Sequence, residues 1–149
     1  MNRAFSKTFS LILMSICFVF HYSASAQSDT TYKECLKYLN KGFVSDGQGY
    51  YLRLAYNEPA SLNISFYNDM IYRLVICRNE KQKIKIVISD DKKKVIFSDL
   101  CEVNERYWDL EFKSMVNCII SIEEKNPDSK PENIRIAIGF KQKKRVSKN

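Results

Sequence analysis

Apolar and polar positions alternate with two different periods along this chain. Over residues 30–40, Tyr32, Cys35, Leu36 and Leu39 recur at three- and four-residue intervals and form the apolar stripe of a helix. Thr30 or Thr31 can cap its start and Gly42 can end it, with Lys33, Glu34 and Lys37 facing water. From Phe43 onward the period falls to two. After a turn cluster at Ser45-Asp46-Gly47-Gln48-Gly49, eight short runs have strand character, near 49–56, 60–67, 70–77, 82–89, 93–98, 107–113, 115–123 and 133–141. Leu62, Ile64 and Phe66 alternate with Asn63, Ser65 and Tyr67; Ile84, Ile86 and Ile88 alternate with Lys83, Lys85 and Val87. Trp108, Leu110 and Phe112 alternate with Asp109, Glu111 and Lys113, and Ile134, Ile136, Ile138 and Phe140 complete a fourth row.

One apolar face per strand predicts antiparallel sheets with one packed side. Asn68-Asp69 has two-residue hairpin spacing, and Asp90-Asp91-Lys92 makes a second tight turn. Residues 99–106 read as a charged link containing Cys101, and 124–132 as a long loop, since Pro127 and Pro131 cannot donate to a ladder. The expected fold class is all-β: an antiparallel, jelly-roll-like β-sandwich of about eight strands with one short N-terminal helix. Lys83, Lys85, Lys93 and Lys94 are expected to discourage edge-to-edge pairing.

The first 26 residues stand apart. Arg3 and Lys7 precede the apolar run Phe9–Phe20, and Ala24-Ser25-Ala26 supplies small residues at a cleavage site. This is the pattern of a secretory signal peptide, and a run of about a dozen apolar residues falls short of the ~20 that span a bilayer. The expected organisation is a signal peptide over 1–26, one domain over 27–140 and a basic tail over 141–149. Localisation is expected to be periplasmic or extracellular, with no transmembrane anchor after cleavage.

Cleavage changes the composition. It removes His21, the one histidine, together with Cys17. Four cysteines remain, Cys35, Cys77, Cys101 and Cys118. In an exported chain they predict two disulfides in one of three connectivities. Cys118 shares parity with Val116, Ile120 and Ile122 and should face the core, whereas Cys77 shares parity with Arg73 and should face outward. That argues against a Cys77–Cys118 bridge. The formal charge of +7 falls to 22 basic against 17 acidic residues once Arg3 and Lys7 leave. Five of those cations lie in the tail (Lys141, Lys143, Lys144, Arg145 and Lys148), so the rest of the chain is neutral.

Several segments resemble motifs of small exported proteins of Gram-negative bacteria. They are Phe43-Val44-Ser45-Asp46-Gly47-Gln48, Phe66-Tyr67-Asn68-Asp69-Met70-Ile71-Tyr72-Arg73, Tyr107-Trp108-Asp109-Leu110-Glu111-Phe112-Lys113 and Ile138-Gly139-Phe140-Lys141. The likeness runs over about residues 35–142. It implies a β-sandwich and carries over no catalytic residue, because that family has no assigned activity.

The residues themselves narrow the chemistry. Without histidine the mature chain has no Ser-His-Asp or Cys-His machinery and no imidazole zinc site. Cysteines spaced 42, 24 and 17 apart lack the close pairs of a four-cysteine zinc site. No metal or cofactor is expected; Asp90-Asp91 and Glu123-Glu124 lack the spacing of a calcium loop. Aromatic pairs carry the functional expectation. Tyr50 with Tyr51, and Tyr107 with Trp108, must each send one ring outward, where it can stack on a sugar or dock a peptide. The leading expectation is a non-catalytic envelope module with a glycan or envelope protein as partner. Nucleic acid is not expected, because the basic tail lacks interleaved aromatics. One alternative is a small hydrolase using carboxylates among Asp46, Glu58, Asp109 and Glu111. The other is adhesion of the tail, residues 141–149, to anionic surfaces.

Overall fold

The structure, a computed structural model, describes residues 30–40 and 42–143 and, of these, the side chains of all but 30, 31, 79, 80 and 103–105. The leader with Cys17 and His21, the capping side chains of Thr30 and Thr31, and the last six residues of the tail lie outside the described part. Among the described residues one helix, α1 (Thr30–Lys37), precedes six strands. These are β1 (Val44–Leu54), β2 (Ala60–Phe66), β3 (Met70–Asp90), β4 (Val95–Glu111), β5 (Val116–Glu124) and β6 (Glu132–Gln142).

β3 and β4 are long because each passes through both layers of a sandwich. Residues 70–77 of β3 pair with β6 on one side and with the end of β4 on the other; residues 84–90 pair with β5 and with the start of β4. β1 extends the first sheet through β6, and β2 extends the second through β5, with every ladder antiparallel. Counting the halves of β3 and β4 separately gives eight segments, ordered one-eight-three-six in the first sheet and two-seven-four-five in the second. Two Greek keys folded into two sheets in that order make a jelly roll.

Three expectations need correction. Asn68-Asp69 does not close a hairpin: β2 pairs with β5, and the turn carries the chain from one sheet to the other. Phe66 and Tyr72 consequently face each other across the core, edge to face, with ring centroids 4.8 Å apart. Residues 99–106 are not a link but the middle of β4, paired with β3 on both sides of a register shift at residue 104. Asp99 disguised that strand, since its carboxylate lies on the inward row and accepts a 2.9 Å hydrogen bond from the Trp108 indole. The cluster at 45–49 lies inside β1, where the register shifts between Ser45 and Gly49. Gly47, at φ +80°, takes the backbone conformation that this bulge requires.

The core lies between the sheets. Tyr72, Leu74, Ile76, Ile134, Ile136 and Ile138 from the first meet Ile84, Ile86, Ile88, Ile120 and Ile122 from the second. A second, smaller core lies on the outer face of the first sheet, where Cys35, Leu39 and Phe43 cover Val75, Cys77 and Ala137. Cys77 therefore does point away from the sandwich, but under α1, and it is bonded to Cys35. The expected second bridge is absent: Cys101 and Cys118 are free and buried. They pair across β3 with Ile84 and Asp90. Six residues of strand separate those positions, about 20 Å, far beyond the reach of a disulfide. Burial pushes both thiols up, and the charges of Asp99 and Asp90, respectively, add to it.

Where β3 bends, residues 78–81 face a single residue of β4. Arg78 fills this corner. Its Nη2 lies 2.8 Å from Glu124, and it also bonds Glu132; Arg78 and Glu124 are each only 1% exposed. The loop of residues 125–131 is tied to the same corner by Lys125 N to Lys83 O at 2.9 Å and Asn126 Nδ2 to Gln82 Oε1 at 2.7 Å.

Candidate functional site

β1 and β2 are the outermost strands of the two sheets and face each other across the end of the path. The short connection of residues 55–59 joins them at one end. Away from it they diverge, and a cleft of about 550 Å³ opens between them. Asp46, Gln48 and Tyr50 of β1 form one wall, and Asn63, Ile64 and Ser65 of β2 the other. Tyr72, Ile138 and Phe140 form the floor, and Tyr67 and Met70 lie at the mouth. Three consecutive residues of β2 line one cleft, although neighbours in a strand point to opposite faces. The cleft therefore reaches the strand's open edge as well as one of its faces.

The β1 bulge shapes the lip. Asp46 Oδ1 accepts from Gln48 N at 2.9 Å, Ser45 Oγ accepts from Gly47 N at 3.1 Å, and the Tyr32 hydroxyl of α1 donates to Gln48 O at 2.7 Å. With one carboxylate oxygen so occupied, Asp46 Oδ2 accepts from the Tyr50 hydroxyl at 2.9 Å. Burial pushes Tyr50 up to about 12, reinforced by its hydrogen bond to Asp46 and by the charge of Asp46. At the mouth the Tyr72 hydroxyl accepts from Tyr67 N at 3.0 Å, which leaves the Tyr67 ring 53% exposed. The result is a surface of aromatic rings rimmed by amides, hydroxyls and one carboxylate, with no Lys or Arg among its lining residues.

The four expected contact residues do not converge. Tyr50 and Trp108 face the sandwich interior, and Tyr51 and Tyr107 face outward. Only Tyr50 lines the cleft. Tyr51 lies against Arg135, whose guanidinium is 4.0 Å from the ring centroid. Tyr107, on the opposite edge of the first sheet, stacks on Arg73. That guanidinium lies 4.1 Å from the Tyr107 centroid and 4.2 Å from that of Phe43. In its plane it bonds Asp109 twice, at 2.7 and 2.8 Å, and Tyr38 O at 2.9 Å. Stacking and a bidentate pair together use every feature that separates arginine from lysine. They fasten the end of the α1 turn to the sheet.

The carboxylates are dispersed as well. Asp109 is held by Arg73, Glu111 by Lys143 at 2.5 Å, and Glu58 is exposed in the β1–β2 connection; only Asp46 lines the cleft. The tail begins later than expected. β6 runs to Gln142, Lys141 lies 4.2 Å from the Phe43 ring centroid, and Lys143 N donates to Asp69 O at 2.9 Å. Gln48, Asn63, Tyr67, Met70 and Phe140 went unnoticed as site residues. A signal was available in the glycine-bearing insertion at 46–48, because a bulge on an edge strand often re-aims side chains. Among the described residues no helix is long and apolar enough to cross a membrane. Comparison with protein-family models and with curated proteins finds no match.

Proposed function

We propose that this chain is an exported, non-catalytic binding module of the cell envelope, and that a neutral saccharide enters the cleft between β1 and β2. The observation that carries this reading is the lining of that cleft. The rings of Tyr50, Tyr67 and Phe140 offer the flat apolar area that sugar faces pack against. Asp46, Gln48, Asn63 and Ser65 offer the donors and acceptors that hydroxyls require. A lining with no cation disfavours an anionic ligand. A lone carboxylate in the cleft favours binding over glycoside hydrolysis, which ordinarily uses two carboxyl groups about 5–9.5 Å apart. Export accords with the leader-like N-terminus, with the Cys35–Cys77 bond and with the likeness to small Gram-negative exported proteins.

The test is a saccharide array probed with the protein lacking its first 26 residues, followed by calorimetry on any hit. Tyr67→Ala and Asn63→Ala should each weaken binding about tenfold or more, on the order of 1.4 kcal/mol. Tyr51→Ala and Tyr107→Ala, remote from the cleft, should leave binding unchanged. An array without hits, or binding indifferent to the first pair of changes, defeats the proposal.

A further inference from the structure

The ladders gather several separate segments at one end of the sandwich. In the second sheet Phe66 pairs with Val116, Asp90 with Cys118 and Ser89 with Val95, so the ends of β2, β5, β3 and β4 lie side by side. In the first sheet Met70 pairs with Gln142, and the next residue, Ile71, with Glu111. The two rows of strand ends meet where Asp69, Met70, Phe112, Lys113 and Lys143 line one hollow. The chain leaves β6 here, and Lys144, Arg145 and Lys148 follow Lys143 in sequence.

This end sets cations beside exposed apolar side chains. In the β3–β4 turn, Asp90 Oδ1 accepts from Lys92 N at 3.0 Å and from Lys94 N at 2.8 Å, so its carboxylate ties backbone rather than an ammonium group. Lys92, Lys93, Lys94 and Lys113 are exposed and join no ion pair among the described residues. Lys93 and Lys94 thus arm a turn instead of guarding a strand edge. Beside them Val95 is 57% exposed and Met115 56%, and Ile96 and Tyr67 are exposed as well. Over residues 44–46, 67–70, 90–96, 111–116 and 141–149, nine cations meet five carboxylates. The opposite end differs. Over residues 53–58, 78–83, 102–106 and 123–132, seven cations meet eight carboxylates, and Arg78, Lys81 and Lys125 are paired. The positive charge of the chain is therefore gathered at one pole.

We propose that this pole docks on the surface of an anionic lipid bilayer. Ammonium groups attract the phosphate headgroups, apolar side chains beside them enter the interface, and the two contributions add. A bilayer can take both at once along the row of four strand ends, about 15 Å long. A nucleic acid fits less well, because Val95, Ile96 and Met115 offer no flat face on which a base can stack. Docked in this way, the cleft mouth at Tyr67 and Met70 lies next to the headgroups. The proposal does not rest on saccharide binding, and phosphatidylglycerol, which carries no sugar, tests it alone.

The test is co-sedimentation of the protein lacking its first 26 residues with vesicles of phosphatidylcholine, alone or mixed equally with phosphatidylglycerol. Binding should require phosphatidylglycerol, and salt at about 1 M, where the Debye length is about 3 Å, should release the protein. The triple change Lys92→Gln, Lys93→Gln, Lys94→Gln should weaken binding about tenfold or more. Lys81→Gln, Lys83→Gln, Lys130→Gln removes the same charge from the opposite end and should weaken it less than about twofold. Val95→Ser with Met115→Ser leaves the charge alone and should weaken it about threefold or more. All these positions are exposed, and circular dichroism will verify that the variants fold. Failure to bind the mixed vesicles overturns the proposal. So does an equal loss from the two lysine triples, which would make net charge the cause, or indifference to Val95→Ser with Met115→Ser. Equal affinity for a DNA duplex at the same salt overturns it too, as does binding lost on removing residues 144–149 but untouched by the Lys92–Lys94 triple.

Discussion

The outer faces of the two sheets have opposite fates. On the first, α1 lies over Val75, Cys77 and Ala137, the Cys35–Cys77 bond staples it, and Arg73 is clamped between two rings and a carboxylate. On the second nothing among the described residues covers Lys85, Val87, Ser98, Leu100 and Ser121, which face water as a mixed polar and apolar surface. Both faces belong to antiparallel strands with the same alternation. The difference comes from what the outward positions carry. The first face places a cysteine, a valine and an alanine in adjacent rows, small enough for a helix to approach. At Gly139 the approach is closest: an added Cβ would lie 2.8 Å from Leu39. The second face sets lysines and serines among its apolar residues there, and so leaves a helix no continuous apolar patch to bury. Identical strand patterns can thus support a three-layer region beside a two-layer one.

Several measurements would break or sharpen this contrast. The largest effect should come from the corner that both sheets share. Arg78→Met leaves the buried carboxylate of Glu124 without its cation and should cost about 3–5 kcal/mol in urea unfolding. The loss should be felt by both sheets, as one cooperative transition.

Next is the staple. The double change Cys35→Ser, Cys77→Ser opens a bridge spanning 42 residues and should cost about 2–4 kcal/mol. Hydrogen exchange should rise first in α1 and over Val75 and Ala137, while Ile86 and Ile120 stay protected. A matching thiol map follows: Cys101 and Cys118 should alkylate on unfolding without reductant, and Cys35 and Cys77 only after reduction.

Arg73→Lys keeps the charge but loses the bidentate pair and both stacks, at about 1–2 kcal/mol. Loosening of Tyr38 and Tyr107 alone would confirm that the clamp serves the covered face.

At the edge between the faces, Tyr50 gives a pH signature. Its folded pKa, about 12, exceeds the ordinary value of 10.0. Its contribution to stability is therefore complete below pH 10 and is lost as pH rises through 12. Ultraviolet titration should find Tyr50 ionising late, and Asp46→Asn should bring it earlier. The smallest effect should come from the bare face: Lys85→Gln and Ser121→Ala should change stability by no more than about 0.5 kcal/mol.

Much of the fold was legible from residue order. The strand rows that bury Ile84, Ile86 and Ile88, or Ile134, Ile136 and Ile138, followed from alternation, and the outward parity of Cys77 was correct. The site was less legible. Tyr50 lines the cleft, whereas Tyr51 lies outward against Arg135, Tyr107 stacks on Arg73 and Trp108 packs in the core. Tyr67 and Asn63 escaped because their place in the cleft depends on β1 and β2 lying opposite each other, which neither segment encodes alone. Asp99 misled because a carboxylate on an inward row looks like a loop until its indole partner, nine residues away, is placed.

By itself, then, the order of residues determined which side of each strand is apolar, where α1 lies and which cysteine faces which way. These are short-range properties, set by the two-residue repeat of a strand and the 3.6-residue repeat of a helix. Tertiary structure alone decided that β2 joins β5 rather than β3, that β3 and β4 run unbroken through both sheets, that Cys77 bonds Cys35, and that a cleft opens between two edges. Those outcomes depend on which apolar faces meet across the core, a choice among distant partners that no local period records.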